Sequence, residues 1–162
     1  MSAERDWVET VKADIEATLA RRGITVRTGY RLPYSLQVFS YRNSSNEPAL
    51  EQSHGYQTDL LISEQLAGTD NWAPRVVVEF KLGRVTSHDA LTYSAKAATH
   101  KTVHPYLRYG IVIGGYGGPI PHRLIRHGQQ FDFMVTLASR ALTPEDRKRL
   151  VGLLQVTGVP KQ

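Results

Sequence analysis

The chain has 162 residues, with 20 lysines and arginines against 15 aspartates and glutamates, a formal net charge of +5 at pH 7. That length suits one well-packed domain over residues 1–162, and the basic balance favours a polyanionic partner. The absence of cysteine excludes disulfides and thiolate-zinc sites; no apolar run approaches the roughly 18 residues of a membrane span and no apolar signal core opens the chain, so a cytoplasmic protein without a membrane partner is expected.

Residues 2–22 carry Trp7, Val8, Val11, Ile15 and Leu19 at helical spacing, with Glu4 and Asp6 in the first turn and Gly23 as a stop. Strands are expected at 24–28 and 36–41, with a turn over 29–33. Residues 42–54 contain Asn43-Ser-Ser-Asn46 and Pro48 without apolar periodicity, which predicts a long loop: either a mobile surface segment or a lid contacting a substrate. Residues 56–62 (YQTDLLI) and 75–81 (RVVVEFK) read as strands, the second buried and bounded by Pro74 and Gly83. Ser87 is expected to cap a helix over 88–102, with Ala90, Leu91, Ala95, Ala97 and Ala98 as a small apolar side and Tyr93, Lys96 and His100 on one stripe. Residues 107–113 make the next strand, parallel to its predecessor across the helix. The glycine-rich run 114–119 matches no phosphate-binding pattern and reads as a flexible turn, and His122 and His127 lack the companion ligands of a zinc site. Residues 121–126 and 131–137 complete the core, the latter as an added strand, and Thr143, Pro144 and two acids open a last helix with Leu150, Val151, Leu153 and Leu154 as its apolar side.

The chemistry concentrates on Asp59, Glu79 and Lys81. In a strand alternate side chains share a face, so Glu79 and Lys81 point one way and Val78 and Phe80 the other. An antiparallel hairpin centred on Thr69 places Asp59 directly opposite Glu79, within side-chain contact. Two carboxylates with an ammonium beside them make a divalent-metal site, unless they form a salt-bridged hairpin face. Gln57, two residues before Asp59, would share its face and orient a water or a phosphate, or hydrogen-bond within the sheet surface. Lys101, His104 and Arg108 add positive charge nearby.

Asp59 followed by Glu79-Phe80-Lys81, each on a strand and followed by a helix and another strand, resembles the PD-(D/E)XK nuclease superfamily over roughly residues 4–115. Thr58 stands where the family name has proline. The resemblance implies an α/β fold with a restriction-endonuclease-like core, a mixed central sheet flanked by helices in the order αβββαβ. It implies a metal-dependent DNA endonuclease with Asp59, Glu79 and Lys81 as catalytic residues. Mg²⁺, or Mn²⁺ in its place, would sit on Asp59, Glu79 and the Phe80 carbonyl. A glutamate on the first helix joins the metal in some relatives; Glu9 and Glu16 are the candidates, or else a solvated acidic face. By the same likeness Lys96 and Tyr93, with Lys101 and Gln57, approach DNA, the alternative being an ordinary basic surface. Lys12 occupies the place where junction resolvases carry a glutamate, which favours a restriction-type enzyme acting on duplex DNA as a homodimer. The alternatives are a structure-specific (Holliday-junction or repair) nuclease and a non-catalytic nucleic-acid-binding module of the same fold.

Overall fold

The computed structural model describes residues 2–19 and 23–156. Elements run in the order α1 (Ala3–Leu19), β1 (Ile24–Thr28), β2 (Arg31–Tyr41), β3 (Pro48–Gln57), β4 (Leu60–Gln65), β5 (Trp72–Leu82), α2 (Ser87–Val103), β6 (Arg108–Gly114), α3 (His122–His127), β7 (Phe133–Leu137) and α4 (Pro144–Leu154). Five strands form a mixed sheet in the order β1-β4-β5-β6-β7, with β5 in the middle. It pairs antiparallel with β4 and parallel with β6, so its two edges meet a hairpin on one side and a helical crossover on the other.

Alternation along β5 sorts the layers. Val76, Val78 and Phe80 join Leu60, Ile62 and Val112 under α1 and α4, whose Trp7, Val11, Ile15, Leu150 and Leu154 close that core. The opposite face packs Leu61, Val77 and Tyr109 against Ala97 of α2 and Leu32 of β2, while Ile111 and Ile113 meet Ala90 of α2 and Leu124 of α3. Glu79 and Lys81 emerge on this second face. The chain is thus a mixed α/β protein with helices on both sides of its sheet.

Several local expectations change. The expected loop over 42–54 is mostly strand: β2 and β3 form a separate two-stranded hairpin turning over 42–47. The strand expected over 36–41 forms but begins at Arg31, inside the expected turn over 29–33; β3 carries no apolar alternation because most of it packs on nothing, residues 48–53 all being exposed. The strand expected over 56–62 is broken, because the Thr58 amide and hydroxyl both turn back to the Tyr30 carbonyl at 2.9 and 3.0 Å. Gln57 therefore ends one sheet and Leu60 begins the other. Thr86, not Ser87, caps α2, in a reciprocal pair with Asp89. The buried side of α2 is Ala90, Ser94, Ala97 and His100, whereas Leu91 and Ala95 face outward. His100 thus leaves the stripe expected to be open, its Nε2 3.0 Å from the Leu32 carbonyl oxygen. The cap expected for α4 forms as read, Thr143 and Asp146 bonding reciprocally with Pro144 in the first turn. Residues 20–22, the expected end of the first helix, lie outside the described residues.

Trp7 closes the core beneath the site. Its indole N–H donates to the Arg140 carbonyl at 2.7 Å, and its ring meets Phe80 edge-on at 5.2 Å. A Cβ at Gly114 would overlap this ring. Gly114→Ala should therefore destabilise the fold by about 1–3 kcal/mol, the usual effect of overfilling a core. Urea denaturation measures it, and an unchanged midpoint would show that the indole can move aside.

Candidate active site

Asp59 lies in the two-residue joint between the hairpin and the sheet, where the Gly29 amide donates to its carbonyl at 3.3 Å. The register Leu60↔Val78, Leu61↔Val77, Ile62↔Val76 carries on to bring Asp59 level with Glu79, as the hairpin centre at Thr69 predicts. A bulge between Ile62 and Ser63 shifts the rest of the ladder by one without disturbing this end. Asp59 Oδ2 accepts the Phe80 amide at 2.8 Å, closing the strand edge with a side chain. Because a strand residue presents its N–H and C=O to the same neighbour, the Phe80 carbonyl faces that same edge.

Glu79 is 1% exposed. Burial pushes its pKa up to about 8, and the adjacent Asp59 adds to the rise, partly through a hydrogen bond between the two carboxyl groups. The Lys96 ammonium at 3.9 Å and the Tyr109 hydroxyl, which donates to Oε1, work the other way. Lys96 is itself set between the rings of Tyr56 and Tyr93, 5.5 and 5.1 Å from their centroids. Lys81 takes a different set of partners: Glu4 at 3.7 Å, Asp89 at 3.8 Å and the Tyr93 ring at 5.5 Å. Burial disfavours its charge, but hydrogen bonding to Tyr93 and the negative charge of Glu4 and Asp89 prevail, and its pKa is raised. Lys81 is a settled cation.

The fold brings Asp59, Glu79, Phe80, Lys81, Lys96 and Tyr93 together. Gln57 is in the other sheet but lines, with Asp59, Glu4 and Glu9, a small cavity of about 120 Å³. Lys101 points away from the site; it bonds Asp132 at 2.8 Å and the Gln130 carbonyl at 2.7 Å, tying the end of α2 to the turn before β7. His104 and Arg108 are likewise occupied, by the carbonyls of Pro33 and Leu153. Of the first-helix glutamates, Glu9 accepts the Thr28 hydroxyl at 2.5 Å beside the cavity, and Glu16 pairs with Lys12 on the surface at 3.1 Å. Glu4, Asp89 and Tyr109 are site residues that the motif does not contain. Glu4 also accepts the Leu82 amide at 3.1 Å, so the start of α1 is pinned to the end of β5. Alternation places Tyr109 on the face of Ile111, which opposes Glu79, but only the parallel register reveals it.

Asp59 and Glu79 bring two hard oxygen donors together at the end of β5, and the elevated Glu79 pKa follows first from burial and then from the neighbouring Asp59, with Lys96 offsetting part of both. Such donors suit Mg²⁺ or Mn²⁺, which bind through one or two carboxylates and keep several waters. No group of three or more histidines, aspartates and glutamates fit to hold a metal occurs among the described residues. No protein-family model matches the chain, and no curated protein matches it.

Proposed function

We propose that the protein is a metal-dependent DNA endonuclease of the PD-(D/E)XK type, built on a restriction-endonuclease-like core. The observation that carries this reading is the meeting of Asp59 with the buried Glu79 at the end of β5, with Lys81 on the same face of that strand. A divalent cation held there by Asp59, Glu79 and the Phe80 carbonyl would supply Lewis acidity to a phosphodiester and a bound water of lowered pKa.

The chain's own groups do the rest. Asp59 and Glu79 present oxygens whose positions are set by the Phe80 amide and the Tyr109 hydroxyl. Lys81 remains an ammonium, which favours stabilising the negative charge that develops on the phosphoryl oxygens over removing a proton from water. Lys96, held by two aromatic rings beside Glu79, adds a second cation that a strand of DNA would meet first on the α2 side. Cutting both strands of a duplex calls for two such sites, hence a homodimer.

Digestion of a plasmid with Mg²⁺ or Mn²⁺ beside EDTA tests the reading. Metal-dependent fragments from the parent, absent with Asp59→Asn, are the expected result. Cleavage of branched DNA alone would make it a structure-specific nuclease. Binding without cleavage of any DNA under either metal would overturn the enzyme reading.

A further inference from the structure

A second basic feature lies at the same end of the sheet. Arg123, Arg126, His122 and His127 line a concavity of about 510 Å³, closed by Tyr116 and by Ser87 at the start of α2; no carboxylate lines it. Among the described residues neither arginine takes part in an ion pair, whereas Lys81, Lys96, Lys101 and Arg75 each face an acid. Two like-charged guanidinium groups on one short helix repel each other without an anion between them.

The topology sets this concavity at the same end of the sheet as Glu79 and Lys81. The parallel pairs Lys81↔Ile113 and Leu82↔Gly114 make the glycine-rich turn and α3 leave the sheet from the end where Lys81 stands. The Gly83 amide donates to the Gly114 carbonyl at 2.7 Å, joining the two strand ends. Ser87 lines the concavity, and Asp89, two residues further on, pairs with Lys81. The first turn of α2 thus contributes a residue to the concavity and a partner to Lys81. Leu124, buried among Val85, Ala90 and Ile113, fixes α3 against that turn, so the arginines sit on a rigid support.

We propose that this concavity holds a backbone phosphate of the nucleic acid that runs past Asp59 and Glu79, a few nucleotides from the bond to be cut. The path of the polymer rests on the nuclease reading; the phosphate site itself rests on the concavity. Guanidinium forks match phosphate oxygens two at a time, and the imidazole N–H groups add further donors. Such contacts set the register of the duplex and are indifferent to base sequence.

Fluorescence anisotropy of a labelled duplex in EDTA, over a range of KCl, tests the site without requiring cleavage. Arg123→Gln/Arg126→Gln should weaken binding by about tenfold, equally for unrelated sequences. The slope of log affinity against log salt should flatten by about one unit for each phosphate that the variant no longer neutralises. Arg126→Glu, on an exposed position, should weaken binding further with an unchanged melting temperature. Affinity and slope equal to the parent's in both variants would overturn the proposal, as would a parent that binds no DNA. So would inorganic phosphate raising the parent's melting temperature while the variants bind DNA normally, since the site would then serve a small anion. Weakened binding in the arginine variants of a protein that cuts nothing would uphold the phosphate site and remove the nuclease reading. Cleavage by a parent whose arginine variants bind normally would do the reverse.

Discussion

In metal-free buffer at pH 8.5, Glu79→Gln should melt well above the parent, and the difference should vanish near pH 4. The folded pKa of Glu79 stands near 8 against 4.5 for an unperturbed glutamate, raised by burial and by Asp59. Below pH 4.5 both folded and unfolded chains are protonated there, and the group does not penalise folding. Between 4.5 and 8 the unfolded chain ionises while the folded one does not, so stability falls as pH rises. Above 8 the deficit is complete, on the order of a few kcal/mol at about 1.4 kcal/mol per unit. The Glu79 side chain is 2% exposed, so solvent screening offsets little of this. Glutamine removes the charge and keeps an oxygen for the Tyr109 hydroxyl. Thermal melts from pH 4 to 9 give the answer, and parallel curves for the two proteins would refute it. Mg²⁺ or Mn²⁺ should raise the parent's melting temperature above pH 7 and leave that of Glu79→Gln in place, because a ligand that binds only the folded state stabilises it by mass action.

Lys81→Ala should lower the rate of DNA cleavage by about two to three orders of magnitude, the scale on which one preorganised charge acts in a transition state. Its ammonium is held by Glu4, Asp89 and Tyr93, and its raised pKa keeps it charged throughout the neutral range. The profile of rate against pH between 6 and 9 should therefore keep its shape in the variant while its height drops. A limb of the profile that disappears in Lys81→Ala would instead make the lysine the base. Melting of the variant controls for folding; removing the lysine leaves Glu4 and Asp89 without their shared cation, a change at a half-buried site.

The carboxylate pair was legible because it needs only local facts. A period of two put Glu79 and Lys81 on one face, and a turn centred at Thr69 put Asp59 opposite Glu79. The helices also announced themselves, through the α1 stripe of Trp7, Val11 and Ile15 and the Thr143-Pro144 start of α4. Of the hairpin, the outer part of β2 was legible over 36–41, but β3 was not: burial is what writes alternation into a strand, and most of β3 is exposed on both sides.

What only the tertiary structure decided is the company each charge keeps. Glu4 and Asp89 reach Lys81 from two different helices, and Lys96 and Tyr109 reach Glu79 from the neighbouring helix and strand. Lys101, by composition as good a DNA contact as Lys96, is engaged by Asp132. Arg123 and Arg126, which no motif marks, line a concavity at the same end of the sheet. Sequence determined which residues carry charge and which face of their own element they occupy. Packing of elements far apart in the chain determined the partners, because ionic interactions act over a few ångströms and those distances exist only in the folded state.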